Sequence, residues 1–191
     1  MDIGTVLEDG YIVAGTHNGR TLAVAPADKR ERRPLGFYGV AVDNPIVKKP
    51  SEPADANRSG DTLTQGFISK KALASDFTGS AIELAELEGA FIPSINELKV
   101  IRKNIDAIDA ADSSASDYKL AIIRYGFPLP ELEEGQDPED VEMPEYITPY
   151  VWTSSNHSDK SEWFLTLEDG AIETASFRTM ANWVLLAKYV D

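Results

Sequence analysis

The sequence predicts an α+β fold: a single domain over residues 1–191 with a twisted, mostly antiparallel sheet, flanking helices and long irregular loops. Three observations lead to this prediction. Short apolar runs separated by Asp-Gly and Asn-Gly turns lie near both ends of the chain, which is typical of antiparallel strands. A capped amphipathic helix lies between them. Proline-rich segments, a linker-like loop at 43–60 and an acidic insertion at 127–149, interrupt regular structure.

The first strands are predicted near the N-terminus. The apolar residues Val6-Leu7 and 11–15 flank the turn Glu8-Asp9-Gly10, and a second turn at 17–20 precedes an apolar run at 21–25. Glycine accepts positive φ without a steric penalty, so Asp-Gly and Asn-Gly between such runs indicate tight turns. The apolar stretch 35–42 contains two glycines and is expected to be a strand or a tightly packed loop.

Helical signals fill the middle of the chain. Residues 62–87 predict two short helices or one broken helix, and residues 91–110 predict the clearest helix. Ser94 and Glu97 have the spacing of a capping box, in which each side chain accepts from the backbone N–H of the other. Four apolar residues then follow at helical spacing and predict a core stripe: Leu98, Ile101, Ile105 and Ile108. Residues 118–125 are rich in β-branched and aromatic side chains, which favours a strand over a short helix.

The C-terminal stretch 150–191 is predicted to hold the core sheet. It contains all three tryptophans, Trp152, Trp163 and Trp183, and an apolar run at 163–167 followed by Glu168-Asp169-Gly170. A closing strand is expected at 183–190. Because the tryptophans lie in apolar strand-like runs, we interpret them as packing residues. The polar connectors 153–162 and 173–181 are the places where recognition is expected.

Composition excludes several classes of protein. The chain has no cysteine, which excludes disulfides, thiolate zinc sites and cysteine nucleophiles. It carries 32 acidic and 18 basic residues, and this net charge of −14 opposes nucleic-acid backbones and anionic lipid. The N-terminus lacks the basic and apolar regions of a signal peptide, and no stretch reaches the ~18 apolar residues that span a membrane.

No segment carries a recognised catalytic or metal-binding motif. The acidic residues Asp137, Glu139, Asp140 and Glu142 could gather around calcium, but their spacing differs from that of an EF-hand loop. The run 154–159 contains Ser, His and Asp, yet residues so close in sequence rarely reach the geometry of a catalytic triad. We therefore expect no cofactor, no metal ligand and no catalytic residue.

Four motifs follow one another along the chain: GRTLAVAP at 19–26, FIPSINEL at 91–98, VWTSS at 151–155, and an aromatic strand with an Asp-Gly turn before WVLLAK at 183–188. In this order they resemble the Lcl C-terminal-like domain family, also described as domain of unknown function 1566, which occurs in bacterial surface proteins and phage tail and fibre proteins. The chain lacks the family's Trp and Arg before Pro93 and the arginines of its closing strand. The segment 127–149 looks like an insertion.

The resemblance implies a C-type-lectin-like fold, in which the first and last strands pair and the loops before the final strands carry binding. The calcium-dependent sugar motif of true C-type lectins is missing from the sequence. Formylglycine-generating enzymes share this type of fold, but their chemistry needs cysteines that the chain lacks.

The expected function is that of a non-enzymatic bacteriophage virion protein: a decoration, fibre or tail component, assembled in the host cytoplasm. Its partners are expected to be other virion proteins, in symmetric copies, or a host-surface glycan or protein, with no nucleic acid and no membrane. The candidate binding residues are Asn156, His157, Asp159, Trp163, Thr179 and Asn182. One alternative is a carbohydrate-binding module of a surface adhesin, with Trp152 or Trp183 stacking on sugar. Another is a carboxylate-based hydrolase.

Overall fold

A computed structural model describes residues 1–126, 148–168 and 174–190. Within these ranges the chain forms five α-helices and eight strands, an α+β architecture. The helices are α1 Gly60–Ile68, α2 Ala81–Leu87, α3 Ile95–Lys103, α4 Ile105–Ala111 and α5 Leu120–Tyr125. The strands are β1 Ile12–His17, β2 Arg20–Val24, β3 Glu31–Arg33, β4 Tyr150–Asn156, β5 Ser161–Thr166, β6 Thr174–Phe177, β7 Asn182–Val184 and β8 Ala187–Val190. The expectations for the acidic insertion and for the Asp169-Gly170 turn fall on residues outside the described ranges.

The strands form two sheets where one was expected. A three-stranded sheet has the order β1-β2-β8, and a five-stranded sheet has the order β3-β7-β4-β5-β6. The pairings between strands are antiparallel except between β4 and β7, which run parallel at Val151 and Trp183. The expected pairing of the first and last strands is wrong in detail, because β8 pairs with β2 and not with β1.

The closing segment 183–190 was expected to be one strand, and it is two. It leaves the five-stranded sheet after Val184 and enters the three-stranded sheet at Ala187. Leu185 is buried in one hydrophobic core and Leu186 in another. Side chains of an extended segment alternate between two faces in any case, so the break reflects the change of pairing partner, from β3 and β4 for β7 to β2 for β8.

Both cores are rich in aromatic residues from the C-terminal strands. The first core joins the helical stripe to both sheets and contains Trp163 and Trp183, while the second contains Trp152. All three tryptophans are buried, and the indole N–H of Trp152 donates to the Arg33 carbonyl at 2.8 Å. The prediction that the tryptophans act in packing is confirmed.

The helices that were predicted from patterns within their own segments are present in the structure. Residues 62–87 form two helices, and α3 begins with the predicted capping box of Ser94 and Glu97. The four stripe residues are buried, as predicted. The long helix is nevertheless interrupted at Asn104, whose side-chain amide donates to the carbonyls of Ala14 at 2.8 Å and Val100 at 3.1 Å.

Two segments take a structure that their residues alone do not indicate. The expectation of a strand at 118–125 is wrong, because Asp109 accepts hydrogen bonds from the backbone of Leu120 at 2.9 Å and Ala121 at 2.7 Å and so caps α5. Residues 35–42 form a packed loop and no strand. The linker-like segment up to Ser59 is irregular, as predicted, but it packs against the fold and buries Val47 and Asp55.

Candidate functional site

Arg178 connects three loops at one end of the five-stranded sheet. It follows β6 directly and its side chain has no solvent exposure. A guanidinium has five N–H donors in a rigid fork, so it can bond several oxygens at once. Its Nη1 donates to three backbone carbonyls, those of Phe37 at 3.0 Å, Val40 at 3.0 Å and Asp159 at 3.2 Å. Two of these carbonyls lie in the loop 34–42, and the third lies in the β4–β5 loop 157–160.

Backbone hydrogen bonds join the same loops to the turn 178–181. The N–H of Gly39 donates to the Asp159 carbonyl at 2.7 Å, and the N–H of Arg178 donates to the Lys160 carbonyl at 3.0 Å. The N–H of Gly36 donates to the Arg178 carbonyl at 3.3 Å. We call the solvent-facing side of loops 34–42, 157–160 and 178–181 the three-loop surface.

The other edge of the guanidinium bonds Glu162, which is also fully buried. Nε and Nη2 of Arg178 donate to Oε2 of Glu162 at 3.2 and 3.0 Å, and Nη2 donates to Oδ1 of Asn156 at 3.0 Å. Burial raises the pKa of Glu162 well above its usual range, against the lowering effect of Arg178, and nearby Asp55 raises it further. Burial also raises the pKa of Asp55. These carboxyls therefore belong to the scaffold beneath the surface.

Loop 34–42 is held in a strained conformation. Phe37 has φ of +62°, a region that costs a non-glycine residue about 1–3 kcal/mol. The carboxylate of Asp76 accepts from the N–H of Phe37 at 2.8 Å and of Tyr38 at 3.0 Å, and the Phe37 ring packs edge-on against Phe67 and Phe77. These contacts fix the loop and leave Tyr38 44% exposed. The strain is therefore maintained where an aromatic side chain faces solvent.

Three of the six predicted binding residues lie at or beside the three-loop surface and are accessible. Asp159 and Thr179 are exposed on it. His157 is half-buried, with its Nδ1 2.7 Å from Oγ of Ser161 and its ring edge-on to that of Trp163. The predicted polar turn at 154–159 is confirmed for residues 157–159, which are followed by Ser161 as a hydrogen-bond partner, but residues 154–156 belong to strand β4.

The other three predicted binding residues are buried, and their placement in a binding site is wrong. Asn156 is an acceptor for Arg178, and Trp163 donates its indole N–H to the Val47 carbonyl at 2.9 Å. Asn182 pairs with Arg33 between β7 and β3. The polar connector was predicted at 153–162, but the loop spans only 157–160, because β4 continues through buried hydroxyl residues to Asn156. The connector 173–181 contains β6.

The residues that organise this surface were not among the predicted site residues. A single Arg in the run Ser176-Phe177-Arg178-Thr179 gave no pattern that marks it as buried. In the sequence, Gly36 and Gly39 flank the aromatic pair that contains Tyr38, and two glycines so placed indicate a tight loop. In the structure both glycines have positive φ, at +87° and +78°.

A second buried polar cluster ties the chain ends to the helices. Glu97 accepts from the N–H of Gly60 at 2.8 Å and of Ser94 at 2.7 Å, and from the hydroxyl of Tyr189. Nδ1 of His17 lies 2.8 Å from the same hydroxyl. Burial raises the pKa of Tyr189, and so does its bond to Glu97. The cluster joins β1, β8, α1 and α3.

Comparison with models of known protein families, with curated protein sequences and with solved structures finds no match. Within the described ranges, no three His, Cys, Asp or Glu side chains come together in a way that could hold a metal ion. None of the described helices is both long enough and apolar enough to cross a lipid bilayer.

Proposed function

We propose that this chain is a non-enzymatic structural protein of a bacteriophage virion, with a C-type-lectin-like fold, that binds other virion proteins through the three-loop surface. The observation that carries the proposal is the convergence of three loops on buried Arg178. Pre-ordered loops lose little conformational entropy on binding, which favours recognition. The surface offers Tyr38, Asp159, Lys160 and Thr179 to a partner.

The fold assignment rests on the resemblance in sequence and on two features of the architecture. Most strand pairings are antiparallel, and the last strand, β8, lies beside β2 from the N-terminal region. These features support the assignment. The resemblance implies binding at the loops before the final strands, and the turn 178–181 before β7 is part of the three-loop surface.

Neither alternative function gains support from the site. A sugar-binding platform was expected at Trp152 or Trp183, and both rings are buried. A carboxylate hydrolase needs carboxyl groups that reach a substrate, whereas Glu162 and Asp55 are enclosed. The geometry of these groups fits a scaffold that holds loops in place.

The test follows the chain through particle purification. Virions are banded from a lysate of the native host, and an antibody against the chain locates it across the density gradient. Comigration with intact particles is expected. Recovery of the chain only in the soluble fraction would overturn the proposal.

Variants then separate the surface from the scaffold. Tyr38→Ala with Lys160→Glu should lower incorporation into particles about tenfold or more, since truncation of a central aromatic contact commonly costs at least 1–2 kcal/mol of binding free energy. Val6→Ala is the matched control, because Val6 is exposed and forms a bridge with Ile12 of β1, in the other sheet. Equal incorporation of both variants, each with unchanged melting temperature, would contradict a role for the three-loop surface.

A further inference from the structure

Strand β6 forms one edge of the five-stranded sheet. It pairs antiparallel with β5, and among the described residues no strand covers its other side. An open strand edge presents N–H and C=O groups that can pair with another chain. Proteins normally protect such edges with charged residues, proline or bulges. The residues Thr174, Ala175, Ser176 and Phe177 include no charge and no proline.

The hydrogen-bond pattern identifies the backbone groups that face outward. The N–H of Arg178 donates inward to the Lys160 carbonyl, so position 178 belongs to the hydrogen-bonded set of the antiparallel pair. Inward and outward groups alternate along an antiparallel strand. Ser176 therefore points its backbone groups at β5, whereas Ala175 and Phe177 point theirs away from the sheet. The Phe177 carbonyl accepts from the Met180 N–H at 2.9 Å and keeps a second lone pair for another donor.

Apolar side chains surround this edge. Phe177 is 59% exposed and Met180 is 55% exposed. Both line an open depression of about 400 Å³ together with His157, Ser161, Ala175 and Ser176. Exposed apolar side chains beside an unpaired edge are typical of a surface that another chain covers.

We propose that β6 of a second copy of this chain pairs antiparallel with this edge, about a twofold axis at Ser176. In that register, outward-facing Ala175 meets Phe177 of the second copy, and the reverse pair follows by symmetry. The two pairs exchange four backbone hydrogen bonds. Each large Phe177 side chain lies opposite a small Ala175, so the strand is complementary to itself. The inference rests on the proposed function, in which symmetric copies assemble.

Charge and size set the strength of this contact. Each copy carries a net charge of −14, so two copies repel at low ionic strength, while the uncharged strand adds no local repulsion. A contact of four residues is far below the roughly 1,200–2,000 Å² that stable complexes bury. The pairing should therefore be weak in solution, and salt should strengthen it by screening the repulsion. In an assembled particle, many such contacts form together and their combined affinity is higher than that of one contact.

Sedimentation equilibrium of the full chain at rising protein concentration tests the proposal. A monomer–dimer equilibrium is expected. Its dissociation constant should be at least severalfold lower at about 0.5 M salt than at about 0.05 M salt, because the higher salt concentration screens the repulsion between the two copies. Phe177→Lys and Ala175→Pro should abolish the dimer, because each blocks the edge and spares the bonds to β5. Leu87→Lys adds the same charge at an exposed apolar residue of α2 and should dimerise like the wild type.

Amide hydrogen exchange gives a second readout that does not depend on the variants. The N–H groups of Ala175 and Phe177 should gain protection as concentration rises, while that of Ser176 should be protected throughout. Two results would overturn the pairing. One is a chain that stays monomeric at every protein and salt concentration, and the other is an exchange rate of the Ala175 N–H that does not depend on protein concentration. Such a result would leave comigration with particles unaffected, so the two proposals fail separately.

Discussion

At the residue scale, Arg178 is the side chain that holds the loops of the candidate site together. Its fork donates to carbonyls from two loops on one side and to Glu162 on the other, and the Arg178 and Glu162 side chains have no solvent exposure. Lysine could keep the charge but has no planar fork, so it cannot hold the same set of oxygens. The shape of the three-loop surface therefore depends on an arginine at this position.

Replacing Arg178 should destabilise the protein strongly. Arg178→Ala leaves Glu162 and several carbonyls buried without donors, and breaking a buried pair in this way costs about 3–5 kcal/mol. Arg178→Lys should recover only part of that loss. Urea denaturation monitored by tryptophan fluorescence measures the change in free energy of unfolding.

Arg32 is the matched control for this prediction. Its guanidinium is exposed and donates to the Ala181 carbonyl at 2.8 Å, so Arg32→Ala should cost less than about 1 kcal/mol. Similar losses for the two alanine variants would show that the buried arginine does not organise the loops.

Glu162 should give the stability of the chain a distinct pH dependence. A carboxyl whose folded pKa is raised binds its proton more tightly in the folded chain than in the unfolded one. Its contribution to stability is therefore greatest at low pH and declines as pH rises from the ordinary value near 4.5 through the raised folded value. The decline is at most about 1.4 kcal/mol per pH unit.

Glu162→Gln tests this sign, because the amide does not titrate. The difference in free energy of unfolding, wild type minus variant, should fall as pH rises above the ordinary carboxyl value near 4.5. Glu52→Gln makes the same substitution at an exposed carboxyl and is the matched control. Parallel profiles for wild type and Glu162→Gln would refute the raised pKa.

At the element scale, the start of α3 is more than a local helix cap. Glu97 completes the capping box with Ser94, and it also accepts the first N–H of α1 and the hydroxyl of Tyr189 in β8. The sequence revealed the capping box because both of its members lie within one turn. It carried no sign of the contacts to α1 and β8, which join residues far apart in the chain.

Glu97→Ala should therefore cost more than an ordinary helix cap. It leaves two buried N–H groups, those of Gly60 and Ser94, without an acceptor, and each such loss costs about 1–3 kcal/mol. Glu83 holds the third helical position of α2 and accepts from the Gly79 N–H at the surface, so Glu83→Ala should cost about 1 kcal/mol. Chemical denaturation compares the two. Equal costs would mean that Glu97 acts as a cap alone.

The predictable and unpredictable elements differ in where their stabilising contacts come from. Strands β1, β2 and β5 and helices α1 to α3 follow local patterns, and the sequence predicted them. Helix α5 was missed because its cap is Asp109 from α4, and the polar end of β4 was missed because its hydroxyl groups bond inside the fold. The same limit applies to the site, since Arg178 and Glu162 become partners only after the sheet forms.

At the scale of the whole molecule, the segment from β7 to β8 joins the two sheets. Strand β7 pairs with β3 and β4, and β8 pairs with β2, with only Leu185 and Leu186 between them. Both leucines are fully buried, one in each core. Loosening this junction should affect both sheets, because neither core is complete without it.

Leu185→Ala should consequently destabilise the whole molecule and not one sheet. Truncating a buried leucine costs about 2–5 kcal/mol through lost packing and the cavity left behind. Tryptophan fluorescence reports the five-stranded sheet, and amide exchange in β1 and β2 reports the three-stranded one. The two probes should shift together in denaturant, which is the mark of a single cooperative transition. If the five-stranded sheet unfolded while β1 and β2 stayed protected, the sheets would be independent and the junction would carry no coupling between them.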